Sequence, residues 1–281
     1  MRFWQTSRRR IPLDKTLVMA ILNATPDSFS DGGRYDDVDR ALRQTEKYVA
    51  DGADIIDVGG ESTRPGSERV DPDEEIRRVV PVIEAIRKRF DVPISIDTSK
   101  RAVAERAVEA GAEIINDVSG LRFDETIGEI AARYETGLVL MHLRGRFETM
   151  HKQEPVKRLA AAVVSGLNFS VAKATFYGVR DRAIVLDVGI GFGKSFEQNL
   201  ELIARLGDYR KHLPRFPLLV GASRKSFIGK ILGGAPADQR LSGSLAAAAV
   251  AVWNGASVVR VHDVRETVET LRVVEAIKNQ L

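Results

Sequence analysis

The sequence contains no cysteine, which excludes disulfide bonds, thiolate metal sites and a cysteine nucleophile. A chain without disulfides suits a reducing compartment, and we expect a cytoplasmic location. Aromatic residues make up only 6% of the chain, although 44% of it is hydrophobic. The core must therefore be built mainly from Val, Ile, Leu and Ala, as is typical of parallel strands buried on both faces.

Long apolar runs and blocks of like charge are also missing. The longest apolar run, residues 245–253, is far shorter than the roughly 20 residues that span a bilayer. The basic stretch Arg8–Arg10 precedes only a brief apolar run, which does not match a signal peptide. The 42 basic residues are interspersed with 39 acidic ones, giving a net charge of +3. We therefore expect neither a membrane nor a nucleic-acid partner.

What the chain does contain is a regular alternation of strand-like and helix-like segments. Strands are predicted at 17–22, 55–58, 94–96, 114–115, 138–141, 184–186, 218–220 and 258–261. Helical periodicity occupies 41–49, 74–89, 102–110, 159–177, 200–210 and 245–254. Eight alternations in 281 residues favour a single (β/α)8 TIM-barrel domain over an open doubly wound sheet, with 1–14 as a peripheral N-terminal segment.

Three of the predicted strands end in a polar side chain: Asp97, Asn116 and Asp187. In a TIM barrel the strand ends meet in one pocket, where reaction sites are built. The polar residues that follow the other predicted strands are expected at the same end: Asn23, Glu61, Thr63, His142 and His262. The acceptors at the three strand ends, with Lys225 as a donor, suit a planar heterocycle that carries amine and ring N–H groups. Any one of the three is also compatible with a simple helix cap.

The last predicted strand carries Arg260 and His262, which lie side by side because they are two residues apart. With Ser257 and Asp263 nearby, the pair predicts an anion site of phosphate type. The alternative is an arginine paired to a carboxylate and a histidine that only packs.

Several connections are rich in Gly, Pro, Ser or Asp. Residues 23–34 and 59–72 are long enough to be functional lids, although ordinary surface connections share that composition. The glycine run 189–193 is interpreted as a tight turn that lets a flat ligand approach the backbone. At 221–226, a helix N-terminus with Ser226 suits a carboxylate ligand, unless Ser226 is only the helix cap. No HExxH or Ser-His-Asp signature indicates zinc or acyl-serine hydrolysis.

Seven segments stand in order between Leu17 and Asp263: LNATPDSFSDGG, DVGGESTRPG, SIDTSK, INDVSGL, DVGIGFGK, GASRKSFIG and VRVHD. Together they resemble the dihydropteroate synthases, folate-pathway enzymes of the pterin-binding barrel family. The resemblance implies that 4-aminobenzoate is joined to 6-hydroxymethyl-7,8-dihydropterin diphosphate with release of pyrophosphate. It also implies Mg²⁺ as cofactor, sulfonamides as competitors of 4-aminobenzoate, and a homodimer formed through the late helices.

The resemblance assigns roles residue by residue. The implied catalytic residues are Asp97, Lys225, Arg260 and His262. The implied pterin contacts are Asp97, Asn116, Met141, Asp187, Phe192, Gly221 and Lys225. The diphosphate would be held by Asn23, Arg64, Arg260 and His262, with Asn23 also the Mg²⁺ ligand. The 4-aminobenzoate would be surrounded by Phe29, Thr63, Pro65 and Ser226, while Asp31 would help to order the first loop.

The chain departs from the family's pattern at Ala20, Ala24 and Val188. Val188 replaces a proline beside Asp187, an implied pterin contact. This replacement frees the φ angle of residue 188 and restores a backbone N–H that needs a partner. Two alternatives stay open at this point: a catalytically silent pterin-binding paralogue and a pterin-dependent methyltransferase. A methyltransferase has no use for a diphosphate site, which Arg260, His262 and Asn23 would supply.

Overall fold

The computed structural model describes residues 2–24, 34–63, 66–149 and 153–280. A short hairpin consists of β1 and β2, Phe3–Gln5 and Arg10–Pro12. Eight further strands form a closed, parallel barrel. They are β3 Leu17–Asn23, β4 Ile55–Gly59, β5 Ile94–Asp97, β6 Ile114–Asp117, β7 Gly137–Met141, β8 Ile184–Asp187, β9 Leu218–Val220 and β10 Val258–Val261. The predicted TIM barrel is thus confirmed, and each predicted strand is present.

Helices stand between the barrel strands throughout the described residues. They are α1 Arg34–Ala50, α2 Pro72–Arg89, α3 Arg101–Ala110, α4 Ile127–Arg133, α5 Leu159–Phe176, α6 Phe196–Ala204, α7 Leu206–His212, α8 Ser226–Ile231, α9 Leu241–Trp253 and α10 Val264–Lys278. The Asp71 side chain caps α2 by accepting from the Asp73 N–H, and Gly111 ends α3 in the left-handed conformation. The helix predicted at 200–210 is wrong in detail, since it is broken at Arg205 into α6 and α7.

Barrel strands alternate strictly between an inner and an outer face. Outward side chains such as Ile56 and Ile115 join the helices in the large core cluster. Inward side chains form a separate layer at the amino-terminal end of the barrel, made of Leu17, Met19, Ile55, Ile114, Val139, Val185, Leu219 and Val258. Along each strand, the next inward-facing residue therefore lies nearer the carboxyl-terminal end of the barrel.

The N-terminal segment is part of the packed fold, and the expectation of a peripheral appendage is wrong for the hairpin. Trp4 is fully buried in the inner layer, and its indole N–H donates to the Ala183 carbonyl at 2.8 Å. Thr6 and Arg9 both donate to the buried Glu113 carboxylate. The hairpin closes the amino-terminal end of the barrel, which leaves the opposite end for ligands.

Helix α5 is long and apolar enough, by length and composition, to cross a membrane. One of its faces nevertheless packs against the barrel through Val163, Leu167, Val171 and Ala174. The core helix of a barrel passes the same test of length and composition, so this is weak evidence for a membrane segment.

Candidate active site

The inner face of the barrel changes from apolar to polar at its carboxyl-terminal end. The residue two positions after an inward residue points to the same face. On this rule the end layer includes Asp57, Asn116, Met141, Asp187, Gly221 and Arg260, which follow apolar inward residues, and Asp97, which follows the buried Ser95. Six of these seven residues were predicted from the sequence, and the barrel brings them to one rim.

Arg260 is the centre of this layer. Its Nε lies 2.6 Å from Asp57 Oδ2, and its Nη2 lies 2.6 Å from Asp97 Oδ2. Asn116 Nδ2 also donates to Asp57 Oδ2, at 3.1 Å. Arg260 is therefore paired to carboxylates, as the alternative interpretation had it, but on the ligand-facing side of the barrel.

The Asp57, Asp97 and Arg260 cluster holds two acids for one base. Burial raises the pKa of Asp97 to about 7; the Arg260 guanidinium opposes this shift, and the Asp57 carboxylate adds to it. Because one guanidinium offsets the charge of only one carboxylate, the cluster loses its last carboxyl proton at a higher pH than an isolated acid would. Near neutral pH this rim is poised to gain a negative charge.

Asp57 is the functional residue that sequence reasoning missed. Its neighbours Ile55, Ile56 and Val58 made the segment look like an ordinary apolar strand. The alternation of the strand could have revealed it, because Asp57 stands two residues after the inward-facing Ile55 and therefore also faces inward. A fully buried carboxylate needs a polar partner, which indicates a polar site at this position.

Asp187 and Lys225 form a second group of polar side chains, which influence each other through their charges. Asp187 Oδ1 accepts from the Gly189 N–H at 2.7 Å, and burial raises the pKa of this carboxyl against the opposing effect of Lys225. Burial lowers the pKa of Lys225 to about 8. Lys225 Nζ donates to the Ile190 carbonyl and lies 4.5 Å from the centre of the Phe192 ring.

An apolar wall lies between the Asp57, Asp97 and Arg260 cluster and the group formed by Asp187 and Lys225. Met141 and Phe192 are 3% and 8% exposed and belong to one cluster with Val118, Leu143 and Phe147. A flat ring that entered the barrel mouth would meet this wall on its face and the polar groups on its edge. A Cβ on Gly221 would lie 3.8 Å from Arg260 Cβ, an ordinary contact distance, so crowding by protein atoms does not require glycine at this position.

His262 follows β10 at the same end. Its Nδ1 lies 3.0 Å from the Ser223 hydroxyl, which fixes the ring. Asp263 forms an ion pair with Arg224 and so supports the turn before α8. Ser257 does not belong to this site: it precedes β10, and its backbone pairs with Leu17 and Leu218 at the amino-terminal end.

The remaining predicted contacts lie around the rim. Asn23 ends β3 opposite Gly59 and is half-buried, as is Thr63. Ser226 is the exposed first residue of α8, whose cap is Lys225, so Ser226 is not the helix cap. The other predicted residues lie outside the described residues: Phe29, Asp31, Arg64 and Pro65.

Described residues on both sides of the second loop are fixed by contacts the sequence did not predict. Glu61 accepts from the Val70 N–H at 2.6 Å and from Lys100 Nζ at 2.7 Å. Lys100 also donates to the fully buried Glu75. Glu61, which the sequence placed among the rim groups, thus serves the loop and not the ligand.

His142 was another rim candidate, and the structure assigns it a packing role. It is 3% exposed, and its ring packs against the backbone at Gly166, where a Cβ would lie 2.6 Å from Cδ2. Burial lowers the pKa of His142 to about 2, so the ring is neutral.

Val188, the departure from the expected proline, is fully buried in the outer core. The glycine after it accounts for the shape of the turn. Gly189 has φ of +74°, and a Cβ there would lie 1.9 Å from the His142 carbonyl oxygen. The close approach predicted for the glycine run is thus made with the neighbouring strand end.

A family model described as "Pterin binding enzyme" matches residues 19–262. The dihydropteroate synthase of Escherichia coli K12 is 47% identical over 92% of this chain and 90% of its own length. The one from Synechocystis is 44% identical over 94% of this chain and 90% of its own length.

Solved structures agree. A Clostridium difficile dihydropteroate synthase determined in the presence of pteroic acid superposes with a TM-score of 0.88 at 43% identity, over 94% of this chain and 97% of that one. A Xanthomonas albilineans enzyme with 4-aminobenzoic acid gives 0.89 at 40%, over 96% of each. A Yersinia pestis enzyme in a sulfonamide complex gives 0.91 at 40%, over 99% of each. The chain therefore belongs to the pterin-binding enzyme family and, within it, to the dihydropteroate synthases.

Proposed function

We propose that this chain joins 4-aminobenzoate to 6-hydroxymethyl-7,8-dihydropterin diphosphate, forming 7,8-dihydropteroate and pyrophosphate, at the carboxyl-terminal mouth of the barrel. The observation that carries this proposal is the rim layer itself. Acceptors, donors and an apolar wall converge there on a space that suits a flat, polar-edged ring. Ligands of the solved relatives, pteroic acid and 4-aminobenzoic acid, support the same substrate classes.

The pterin ring is bound by polar side chains from both sides of the rim. Asp97, Asn116 and Asp187 offer oxygens to the amine and ring N–H groups, and Lys225 donates to the ring carbonyl or a ring nitrogen. Ionised carboxylates make the stronger of these hydrogen bonds. Met141 and Phe192 cover the ring faces.

The diphosphate is placed by Arg260, His262 and Asn23, with Arg64 as a further proposed contact. A guanidinium has five N–H donors, and the bonds to Asp57 and Asp97 use two of them. The two carboxylates fix the direction of the remaining donors, so Arg260 meets the diphosphate without reorganisation.

The charge balance of the rim favours loss of diphosphate. The bond from the pterin methylene to the diphosphate oxygen breaks, and its electron pair leaves with the diphosphate. Positive charge then develops on the methylene, close to the Asp57, Asp97 and Arg260 cluster, whose net charge is negative when both acids are ionised. The amine of 4-aminobenzoate attacks this carbon and passes its proton to water, so no protein nucleophile is needed.

The 4-aminobenzoate is proposed to bind above the pterin, against Phe29, Thr63, Pro65 and Ser226. Of these, Thr63 and Ser226 lie among the described residues. The first turn of α8 places the exposed Ser226 hydroxyl where a carboxylate can accept from it. Sulfonamides are proposed to compete for this position, which the Yersinia pestis complex supports.

The direct test is to measure pyrophosphate release and dihydropteroate formation by the purified protein with both substrates and Mg²⁺, and then with each omitted. We expect both products only in the complete mixture, in equal amounts. A folded protein that binds the pterin diphosphate and releases no pyrophosphate would contradict the proposal and identify a silent paralogue.

Mg²⁺ is proposed as the cofactor, and the residues present are compatible with it. Within the described ranges no group of three or more His, Cys, Asp or Glu side chains is placed to hold a metal. One amide oxygen from Asn23 suits Mg²⁺, since this ion commonly takes one or two protein oxygens together with substrate phosphates and waters. When bound, it would neutralise charge on the departing diphosphate.

We expect EDTA to abolish turnover and added Mg²⁺ to restore it. The variant Asn23→Ala should need about tenfold more Mg²⁺ for half-maximal rate, because one protein ligand is lost. The rate is measured against free Mg²⁺ concentration. Full activity in EDTA would exclude the cofactor, and an unchanged Mg²⁺ requirement in Asn23→Ala would exclude Asn23 as its ligand.

A homodimer is proposed through α9 and α10. The side chains of Val250, Trp253, Val273 and Ile277 are between 46% and 60% exposed. Trp253, Val273 and Ile277 line a groove of about 650 Å³ between these helices. Exposed apolar patches of this kind mark interaction surfaces, and a second copy presents the same patch.

We expect sedimentation equilibrium to give a dimer at micromolar concentration. The variant Val273→Glu should shift the protein to monomer, because it places a charge in the patch. Arg265→Gln is the matched control, because this side chain is 70% exposed on α10, does not line the groove, and gives the same change in net charge. A monomeric parent would contradict the proposal.

A further inference from the structure

Lys194 is a half-buried cation that neither substrate recognition nor charge stabilisation has so far used. It directly follows the glycine run. Its ammonium donates to three backbone carbonyls: Gly189 at 2.7 Å, Phe192 at 2.8 Å and His142 at 3.1 Å. An ammonium has three protons, so each of them is used within the protein.

These three carbonyls belong to residues that are proposed pterin contacts or lie within two residues of one. His142 comes immediately after Met141, and Phe192 is itself a contact. Gly189 donates its N–H to Asp187. A single side chain therefore links the end of β7 to the turn after β8 and fixes one apolar wall and one acceptor relative to each other.

A cation is needed at this point because carbonyl dipoles converge there. A Cβ on Gly189 would lie 1.9 Å from the His142 carbonyl oxygen and 2.9 Å from Lys194 Nζ. The two backbone segments thus approach as closely as a glycine allows, with oxygens directed at one point. Without a positive charge between them, these oxygens would repel each other.

Lys194 also influences the charge of the pocket. Burial lowers its pKa to about 7, while Asp187 raises it and Lys225 and Arg144 lower it further. In return, Lys194 lowers the pKa of the Asp187 carboxyl. Its charge also lowers the pKa of the neutral His142. The protonated lysine therefore favours ionised Asp187, the form that accepts hydrogen bonds from the pterin.

We propose that Lys194 is a positioning residue for the pterin site: it joins the β7 end to the glycine turn and biases Asp187 without touching the substrate. This inference rests on the proposed function, because it assumes that the pocket between these segments binds the pterin.

The test is to measure binding of 6-hydroxymethyl-7,8-dihydropterin diphosphate by titration between pH 5.5 and 8.5, in the parent and in three variants. Lys194→Met removes charge and donors, Lys194→Gln keeps two donors without the charge, and Lys194→Arg keeps both. Lys211→Met is the matched control, since that side chain is 80% exposed on α7.

For Lys194→Met we expect roughly 10-fold to 100-fold weaker pterin binding, the usual cost of a small misplacement in a preorganised site. We expect its KM for 4-aminobenzoate to stay within about twofold, because only the pterin side is disturbed. For Lys194→Gln we expect a smaller loss of affinity. In both variants the pH midpoint of binding should rise, because Asp187 loses a neighbouring cation that lowers its pKa. Lys194→Arg should recover most of the affinity.

Pterin affinity within threefold of the parent in folded Lys194→Met, with an unchanged pH midpoint, would overturn the inference. If Lys194→Met does not fold, Lys194→Gln decides by the same two criteria. An equal rise in both substrates' KM values would also overturn it, since it would indicate general loosening. If the parent binds no pterin diphosphate, the proposed function fails, and the inference fails with it.

Discussion

Replacing Arg260 with methionine is expected to destabilise the folded protein by about 3–5 kcal/mol at pH 8, the usual cost of removing one partner from a buried ion pair. Asp57 is fully buried and the Asp97 side chain is 10% exposed. Both carboxylates would lose the cation that offsets their burial. Urea unfolding of parent and variant at matched conditions measures the difference.

The pH dependence of this loss has a defined sign. Without Arg260, which opposes the effect of burial, the pKa of Asp97 rises further above its unfolded value, so the folded state binds more protons than the unfolded state between those two values. Stability then falls as pH rises through that window, by linkage. The loss in Arg260→Met should therefore be smaller at pH 5 than at pH 8.

Two further variants separate charge from shape. Arg260→Lys keeps a cation but cannot bridge both carboxylates, and we expect an intermediate loss. Adding Asp57→Asn to Arg260→Met removes one of the orphaned charges and should recover part of the stability. Equal stability of Arg260→Met and the parent at pH 8 would show that the cluster is not the buried network described.

Replacing Asp97 with asparagine is expected to lower kcat/KM for the pterin diphosphate by about 10²–10³-fold, the usual cost of removing one preorganised charge-stabilising group. The substitution preserves shape and removes the negative charge facing the methylene. It also replaces an ionised acceptor with a neutral one. Steady-state rates with 4-aminobenzoate at saturation give this number.

The pH profile tests the same residue without relying on magnitude. Because burial raises the pKa of Asp97 to about 7, in the presence of Arg260, Asp57, Glu75 and Glu61, the parent should gain activity as pH rises through 7. Asp97→Asn should lose this step, because it has no proton to release.

Asp117→Asn is the matched control for a buried carboxylate. Asp117 accepts from the Ser119 and Leu121 backbone N–H groups, and burial raises its pKa to about 6. It lies on the outward face of β6, so its loss should affect stability and leave the step near pH 7 in place. If the step persists in Asp97→Asn, Asp97 is not its source.

The sequence predicted the barrel because eight buried strands leave a simple pattern of apolar runs. The same simplicity concealed Asp57, since three isoleucine and valine neighbours outweigh one acid in any short window. Alternation carried the missing information: Asp57, Asp97 and Asp187 each stand two residues after a buried inward side chain. Assigning every residue of each strand to the inward or the outward face, and not only its last residue, would have identified Asp57.

Other differences have their own physical causes. The N-terminal hairpin has two strands of three residues each, too short for alternation to be visible, and its core residues, Trp4 and Ile11, are buried only by tertiary contacts. Helix α8 has six residues and no periodicity to detect. Ser257 was assigned to the wrong end because β10 is only four residues long, so both of its ends looked close to Arg260.

The ligand roles could be assigned only partly from residue types. A carboxylate at a strand end indicates a hydrogen-bond acceptor, but not whether its partner is protein or ligand. Glu61 illustrates the point, because the same kind of position turns inward to Lys100 and Val70. Only the three-dimensional contacts separate residues that face the pocket from residues that support it.

If the rim stabilises positive charge on the pterin methylene as the diphosphate departs, this carbon changes its bonding before the amine attacks. The secondary deuterium isotope effect on kcat/KM, with substrate deuterated at that methylene, reports this change. We predict a clearly normal effect, because the carbon approaches a trigonal, cationic state before the amine bonds to it. An effect indistinguishable from unity would mean that the amine bonds as the diphosphate leaves, and would contradict this account.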